Sequence, residues 1–307
     1  MKFKLFFLTI LSINCLTNIA YADAELDQEN VGSENIQEIA KRSPFSFQTH
    51  YDHTGKAKIK NTFEKGNHIV FAEANVEAGG VFYYNECYSE GLRLGLGFEA
   101  THIGFESNPY FNQDNFETLS VNLSGFTKRV KNWFWRSQLS ANIDTCEWST
   151  NYTSYDILLW GRYTFSNPIG VHIGLWAQTG LNMNYVYPII GFDWEISKRW
   201  KLNLVFPMNM SLQYTINKQW VLALAGRAFD SRYRVHKKIS SFKDLVHYQN
   251  AGAEFMVMYD SNGMTANVHV GMTLGGRYRI ANKNNHHATN YRLDPVGYAG
   301  GEIDVSF

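Results

Sequence analysis

The stretch Tyr298-Ala-Gly-Gly-Glu-Ile-Asp-Val-Ser-Phe307 closes the sequence, and its side chains alternate between two chemical kinds. One set is apolar or small and consists of Ala299, Gly301, Ile303, Val305 and Phe307. The other is polar or small and consists of Gly300, Glu302, Asp304 and Ser306. Because successive side chains of a strand point to opposite faces, the stretch predicts a strand with one apolar and one polar face. Such a strand suits either the edge of a soluble sheet or the wall of a membrane barrel.

Other segments from residue 45 onward repeat this alternation. In residues 264–280 one face carries Met264, Ala266, Val268, Val270, Met272 and Leu274, and the other carries Thr265, Asn267, His269, Thr273, Arg277 and Arg279. The same pattern recurs in residues 68–84, 91–101, 116–126, 133–144 and 171–178. About ten residues tilted by about 40° cross an apolar band of about 25 Å, whereas soluble sheets typically use strands of about five or six residues. The lengths therefore favour a membrane barrel.

We predict an all-β fold, a transmembrane antiparallel up-and-down β-barrel of about 14 strands. Short and long connections alternate along the chain, as expected for periplasmic turns and external loops. Residues 200–216 decide the strand count, because they form either one long strand interrupted by Pro207 or two short strands that turn at Pro207-Met208. A single strand would place the later long loops on the periplasmic side, so we prefer the hairpin. Twelve strands is the alternative.

Composition agrees with an exported barrel and excludes other classes. Charged residues make up 18% of the 307 residues, below the usual value of about 25%, while 15% are aromatic. A mean hydropathy of −0.30 argues against a helical membrane protein. The formal net charge is zero, which gives no indication of nucleic-acid binding.

The two ends of the sequence suggest export and assembly signals. Residues 1–22 combine a basic start, an apolar run and the site Ala20-Tyr21-Ala22, which predicts a signal peptide. Lipidation at Cys15 is disfavoured because Ser12-Ile13-Asn14 lack the small residue that normally precedes the modified cysteine. Residues 23–44 are then expected to form a flexible periplasmic tail and residues 45–307 the barrel. The last residue, Phe307, resembles the signal that barrel-assembly machinery reads, which predicts the bacterial outer membrane as location.

Several motifs together resemble a known family. They are Ala72-Glu-Ala-Asn-Val-Glu-Ala-Gly, Asp156-Ile-Leu-Leu-Trp-Gly-Arg-Tyr, Pro188-Ile-Ile-Gly-Phe-Asp-Trp, Trp200-Lys-Leu-Asn-Leu-Val-Phe-Pro and Tyr298-Ala-Gly-Gly-Glu. From about Phe45 onward the chain resembles bacterial outer-membrane β-barrels classed as a domain of unknown function. The resemblance implies fold and location, and it implies no substrate or catalytic residue.

Charged residues on the predicted polar faces are candidates for lining the lumen, which is polar in this class. The candidates are Glu73, Glu77, Arg93, Glu99, Arg136, Asp156, Arg162, Arg227, Glu254, Arg277, Arg279 and Glu302, with Asp144, Asp193, Glu195 and Asp304 on the same faces. Charges of both signs line a water-filled pore or pair across a narrow barrel and seal it. We expect a pore or uptake channel for small polar solutes, with a non-conducting structural or adhesive surface barrel as the alternative.

No pattern in the sequence indicates an enzyme or a cofactor. Nothing sets a serine beside a histidine or pairs two carboxylates in a defined way, so no catalytic residue is assigned. Adjacent His286 and His287 lack a cysteine or acidic partner at ligand spacing, so we predict no metal site there. Expected partners are outer-membrane lipid, lipopolysaccharide and a small solute. Lipopolysaccharide phosphates would meet basic loop residues, although solvated loop charge is the preferred interpretation of Lys237, Lys238, Lys243, Arg277, Arg279, Lys283 and Arg292.

The two cysteines after residue 22 would by default be expected to pair in an exported chain. The predicted topology instead places Cys87 in a periplasmic turn and Cys146 after a strand that ends on the external side. The apolar band alone separates these levels by about 25 Å, whereas a disulfide needs Cα atoms within about 7 Å. We therefore predict two free thiols.

Overall fold

The computed structural model describes residues 44–60, 67–87, 89–165, 168–236, 239 and 243–307. The predicted signal peptide and all of the predicted tail except Pro44 lie outside these residues, so both stay predictions. Within the described ranges no helix is long and apolar enough to cross a membrane.

The chain forms one antiparallel sheet. Its strands are β1 (Phe45–Thr54), β2 (Ala57–Lys58), β3 (His68–Asn85), β4 (Glu90–Phe105), β5 (Asn115–Thr127), β6 (Trp133–Asp144), β7 (Thr153–Thr164), β8 (Ile169–Gly180), β9 (Tyr185–Glu195), β10 (Trp200–Phe206), β11 (Asn209–Thr215), β12 (Trp220–Arg234), β13 (Leu245–Ser261), β14 (Met264–Thr273), β15 (Arg277–Ala281), β16 (Thr289–Arg292) and β17 (Gly297–Ser306). A single 3₁₀ turn, Thr150–Tyr152, lies between β6 and β7. The short strands β2, β15 and β16 extend β1, β14 and β17 beyond the main wall.

The sheet closes on itself as a barrel of 14 wall strands, which confirms the predicted fold. β1 pairs with β17 on one side and with β3 on the other, so that Thr49 lies opposite both Ile303 and Val76. β10 and β11 form the predicted hairpin, with the turn at Pro207-Met208, so the twelve-strand alternative is wrong. We call the end of the barrel with the longer loops the upper end, and the end that contains Phe45 and Phe307 the lower end.

The outer surface of the wall is apolar around the barrel. Val268 is 64% exposed on the outer face of β14, whereas its neighbour His269 is 2% exposed and points inward. Leu96 on β4 and Ile173 on β8 are likewise exposed large side chains. The alternation of apolar and polar residues along each strand therefore separates an apolar outer face from a polar inner face.

The wall is not equally high all round. β3 and β4 have 18 and 16 residues, whereas β10 and β11 have 7 each. β10 reaches only Ile190 of β9, and β11 reaches only Gly226 of β12. In the described part of the chain, the upper ends of β9 and β12 therefore each have one edge without a neighbouring strand. Pro188 lies in this unpaired part of β9, where its missing N–H leaves no gap in a ladder.

Above the short strands β10 and β11, which we call the low wall, the upper parts of β12 and β13 fold into the barrel. We call residues 228–234 and 245–251 the inserted hairpin; its two strands pair with each other. One face packs on the opposite wall, where Ser231 Oγ donates a hydrogen bond of 3.0 Å to Glu73 Oε2. The other face is turned away from that wall, and Arg232 Nη1 donates a 3.2 Å hydrogen bond to the carbonyl oxygen of Met183, in the loop after β8. A strand buried on both faces cannot be part of a lipid-facing wall, so the hairpin crosses the lumen.

An apolar core fills the space between the inserted hairpin and the high part of the wall, which β3 and β4 form. Phe71 of β3 stacks on Tyr248 of β13 at 4.3 Å, and Phe116 of β5 stacks on Tyr233 of β12 at 4.6 Å. This upper core contains Ala57, Ile59, Ile69, Phe71, Ile103, Phe105, Phe111, Phe116, Phe229, Tyr233, Val235, Val246, Tyr248, Tyr278, Ile280, Tyr291, Leu293 and Tyr298. The stacked rings hold the inserted hairpin against β3 and β5.

The residues that point inward are odd-numbered in β14 and even-numbered in β15. Residues 274–276 interrupt the ladder, and Gly275 adopts a φ of +93°, in the left-handed region that favours glycine. After this interruption Tyr278 and Ile280 point into the upper core. Arg277 and Arg279 consequently lie on the opposite face of β15, not on the inner face that the uninterrupted alternation predicts.

Candidate functional site: a polar chamber in the lumen

A cavity of about 100 Å³ lies inside the barrel, between the inserted hairpin and the inner faces of β3 to β8. Most of the lining from the wall strands consists of neutral polar side chains: Thr118, Ser120, Asn122, Gln138, Ser140, Asn142, Ser154 and Gln178. Glu77, Glu99, Asp156, Leu158 and Trp176 complete the wall side. The even-numbered residues of β5 to β8 point inward, and in the upper half of these strands they are mostly serine, threonine, asparagine and glutamine. The period of two in the sequence thus produces the chamber directly.

Hydrogen bonds fix many of these side chains in place. Asn142 Nδ2 donates to Asp156 Oδ2 at 2.7 Å, and Asn122 Nδ2 donates to Glu77 Oε2 at 2.8 Å. Gln138 Nε2 donates to Ser140 Oγ at 3.2 Å. Side chains of the lining are therefore held in place by hydrogen bonds within pairs.

Three acceptor atoms of the lining are left without a hydrogen bond. Asp156 Oδ1, Gln178 Oε1 and Asp230 Oδ2 are buried and have no hydrogen-bond partner among the described residues, although Arg232 Nη2 lies 3.8 Å from Asp156 Oδ1. Buried polar atoms normally have a partner, which water or a polar solute in the chamber would supply here.

The inserted hairpin forms the far side of the chamber. It contributes Asp230, Ser231, Arg232 and Tyr233, from both faces of β12, because the unpaired edge of that strand borders the cavity. Asp230 contacts the ring of His247 on the neighbouring strand, and the Arg232 guanidinium lies 5.9 Å from the centre of the Tyr185 ring. These contacts hold the hairpin across the lumen.

The rest of the lumen is crossed by two ionic clusters. In the first, Arg227 Nε lies 2.7 Å from Glu254 Oε2, and Asp52 lies 3.5 Å from Arg227 and 2.6 Å from His269 Nε2. In the second, Arg162 Nη2 lies 2.7 Å from Asp193 Oδ2, whose other oxygen lies 2.5 Å from His172 Nε2. Opposite charges pair within each cluster, so these levels of the lumen present little free charge.

All of the predicted lumen residues except Arg277 and Arg279 lie on inner faces of the barrel wall. Glu77, Glu99 and Asp156 line the chamber itself. The structure places Glu73 against Ser231, Arg93 3.5 Å from Glu77, Arg136 3.2 Å from Gln138, Arg162 beside Asp193, Arg227 beside Glu254, and Glu302 2.6 Å from Gln48. Asp193 and Asp304 are buried on inner faces as well, while Glu195 is exposed at the lower end of β9.

The sequence prediction missed the inserted hairpin and its contribution to the chamber. The signal was present in Arg227-Ala-Phe-Asp-Ser-Arg-Tyr-Arg234, where charges occur at both odd and even positions. A charge on the lipid-facing side of a wall strand costs about 2–4 kcal/mol at mid-membrane. Charges on both faces therefore indicate that the strand has left the lipid-facing wall.

Comparison with known proteins gives a family and distant likenesses. A family described as "Domain of unknown function (DUF6268)" matches residues 106–295. An uncharacterized protein of Chlamydia pneumoniae is 24% identical over 215 residues, covering 69% of this chain and 65% of that protein. One of Chlamydia muridarum is 22% identical over 194 residues, covering 62% and 61%. The chain thus spans less than two thirds of the length of these relatives.

Two solved structures illustrate the likeness in fold. The COG4313 outer membrane channel from Pseudomonas putida F1 has a TM-score of 0.48 at 7% identity, over 86% of this chain and 96% of that one. A deletion mutant of the TodX monoaromatic hydrocarbon channel has a TM-score of 0.43 at 10% identity, over 88% and 92%. These values are too low to carry a shared function.

Proposed function

We propose that this chain, which belongs to the DUF6268 family of unknown function, is an outer-membrane channel that admits small polar solutes. The observation that carries the proposal is the polar chamber of about 100 Å³ inside a closed barrel, with its lining of amide and hydroxyl groups. Such groups exchange hydrogen bonds with a polar solute and so replace the water that the solute leaves behind.

The apolar outer surface supports a membrane location. Large side chains such as Leu96, Ile173 and Val268 would be exposed to water if the barrel were soluble, whereas a bilayer covers them. Export through residues 1–22, assembly through Phe307 and contact with lipopolysaccharide belong to the same proposal.

The geometry favours small and polar solutes. The upper core and the inserted hairpin occupy the side of β3 and β4, so most of the side chains that line the remaining space come from β5 to β8. Charged groups along this path are largely engaged in pairs or hydrogen bonds, which leaves hydrogen bonding as the main means of recognition. That the chain is not an enzyme and needs no cofactor stays a prediction.

Ser140→Trp tests the proposal because Ser140 is buried in the chamber lining. Leu139→Trp is the matched control, since the adjacent residue is exposed on the outer face of the same strand. Proteoliposomes with the unaltered barrel should swell in a monosaccharide or a small neutral amino acid. Ser140→Trp should slow swelling at least tenfold, and Leu139→Trp should leave it within twofold of the unaltered protein.

A non-conducting structural or adhesive barrel is the second candidate, and the filled upper core favours it. In that case folded, heat-modifiable protein would give neither swelling nor steady conductance steps in planar bilayers. Equal swelling with Ser140→Trp and Leu139→Trp would mean that solutes do not pass through the chamber.

A further inference from the structure

Three potential metal ligands meet at the upper end of the barrel, beyond the chamber. The ligand atoms of Asp144, Cys146 and His236 all lie within 4.8 Å of one another. Asp144 ends β6, Cys146 follows it in the loop before β7, and His236 lies in the loop after β12. We propose that these three side chains bind a transition-metal ion of the Zn²⁺ class.

The donor set matches that class of ion. A thiolate, an imidazole nitrogen and a carboxylate oxygen are the three ligand types that zinc combines, and a site with three protein ligands keeps a fourth position for water or another group. In a tetrahedral zinc site with bonds of about 2.0–2.3 Å, ligand atoms lie about 3.5 Å apart. To reach this geometry, Asp144 Oδ2 and His236 Nε2, now 2.9 Å apart, would separate by about 0.6 Å. The other ligand atoms, all within 4.8 Å of one another, would draw together by at most about 1.3 Å.

Asp144 is already positioned as a ligand. Its Oδ1 atom accepts hydrogen bonds from the backbone N–H groups of Cys146 at 2.8 Å and Glu147 at 3.2 Å. These bonds fix the carboxylate and bring the cysteine back toward it. The other oxygen, Oδ2, is thereby left to face His236.

The facing nitrogen of His236 lacks a hydrogen bond. Nε2 lies 2.9 Å from Asp144 Oδ2, yet it is buried and has no partner with hydrogen-bond geometry. The imidazole ring stacks on Tyr152 at 4.6 Å with an interplanar angle of 9°, which sets its orientation. A buried ring nitrogen held against a carboxylate without a hydrogen bond is an arrangement that a cation between the two groups would satisfy.

Because of its position, the site would let a bound ion link two parts of the barrel. Cys146 belongs to the loop that follows a wall strand, whereas His236 follows the inserted hairpin directly. A bound ion would therefore connect the end of the hairpin to the wall on the far side of the chamber. This inference stands whether or not the barrel conducts.

Metal titration of the full, folded chain in detergent tests the site. Metal-free protein should bind one Co²⁺ with a thiolate-to-cobalt charge-transfer band, and Zn²⁺ should displace it with at most micromolar dissociation constant, measured against a competing chelator. Cys146→Ser should abolish the band, and Cys146→Ser and His236→Ala should each weaken Zn²⁺ binding at least 100-fold. The controls Cys87→Ser and His286→Ala change an exposed cysteine and an exposed histidine elsewhere, and should bind within twofold of the unaltered protein.

A second measurement needs no variant at the site. Zn²⁺ should slow maleimide alkylation of Cys146 at least tenfold in the unaltered protein and leave the rate at Cys87 unchanged. Binding only at millimolar Zn²⁺, undiminished binding by folded Cys146→Ser, or equal alkylation of Cys146 with and without Zn²⁺ would each overturn the assignment.

Discussion

The high side of the barrel, at β3 and β4, and the low side, at β10 and β11, differ in what their strands leave for the rest of the chain. The high side continues beyond the main wall and offers the inward-facing side chains Ile69, Phe71, Ile103 and Phe105. On the low side the wall stops at Pro207-Met208, so no described strand pairs with β12 above Gly226 on that side. The short hairpin frees β12 to leave the wall, and the long hairpin provides the apolar surface that receives it. The lengths of strands on opposite sides of the barrel thus decide how the upper end of the lumen is filled.

Each side is sealed by a different kind of contact. Aromatic rings of the upper core fill the high side. On the low side Met208, which is fully buried, packs in a cluster with Trp176, Tyr187 and Ile189 next to the gap. A flexible methionine suits an irregular space of this kind, whereas stacked rings suit two flat facing sheets.

Removal of an aromatic ring from the inserted hairpin should have the largest effect. Tyr248 is 1% exposed and stacks on Phe71, so Tyr248→Ala should destabilise the barrel by about 3–5 kcal/mol. Urea unfolding followed by tryptophan fluorescence in lipid vesicles measures this. Tyr248→Phe keeps the ring and should retain most of the stability; an equal loss in both variants would show that the hydroxyl, and not the stack, holds the hairpin.

The low side should be nearly as sensitive at Met208. Met208→Ala leaves a cavity in a closely packed cluster and should cost about 2–5 kcal/mol, whereas Met208→Leu, which conserves volume, should cost less than about 1.5 kcal/mol. The same unfolding measurement applies. A negligible effect of Met208→Ala would mean that the low wall needs no side chain to seal it.

Arginine substitutions at two neighbouring positions of β14 test which side chains of this strand face outward and which face the lumen. Val268→Arg should cost about 2–4 kcal/mol because the side chain faces outward, while Asn267→Arg faces the lumen and should be tolerated much better. The yield of heat-modifiable, membrane-inserted protein reports the difference. Equal tolerance would place β14 one residue out of register, since such a slip exchanges the faces.

The smallest expected effect is a pH dependence at Glu106, which follows β4 at the upper end of the high side. Hydrogen bonds from His68 and Lys56 hold the pKa of the Glu106 carboxyl below its ordinary value of 4.5. Because the folded-state pKa is depressed, ionised Glu106 contributes stability above pH 4.5, and this contribution is lost as the pH falls through the folded-state pKa. Amide protection of residues 103–106, corrected for intrinsic exchange, should fall below pH 4.5 in the unaltered protein. Glu106→Gln should remove this pH dependence, and a persistent dependence would assign it to another group.

The fold was predictable because the period of two and the strand length act locally and repeat fourteen times. The hairpin at Pro207-Met208 was also predictable, since a continuous strand would have reversed the later loops. The free state of Cys87 and Cys146 followed from the same topology and is confirmed. Arg277 and Arg279 show the limit of this reasoning, because a three-residue interruption at Gly275 exchanges the faces without changing the apparent pattern.

The chamber and the ligand cluster depend on contacts that no local pattern specifies. Arg232 reaches Asp156 only because β12 leaves the wall. His236 meets Cys146 only because the loop after β12 crosses to the loop after β6. Spacing within one motif could not indicate either pair, since each joins distant parts of the chain.

The upper core also bears on how the chain reaches its final form. Its side chains come from β2 to β5, near the start of the barrel sequence, and from β12, β13 and β15 to β17, near its end. Asp52 and His269, which meet below this core, are 217 residues apart along the chain. Contacts at such separation form late, because the intervening chain must first be brought together. Closure of the seam between β1 and β17 and entry of the hairpin into the lumen should therefore be one cooperative event, and a chain stalled before it would expose both an open sheet edge and half of an apolar core.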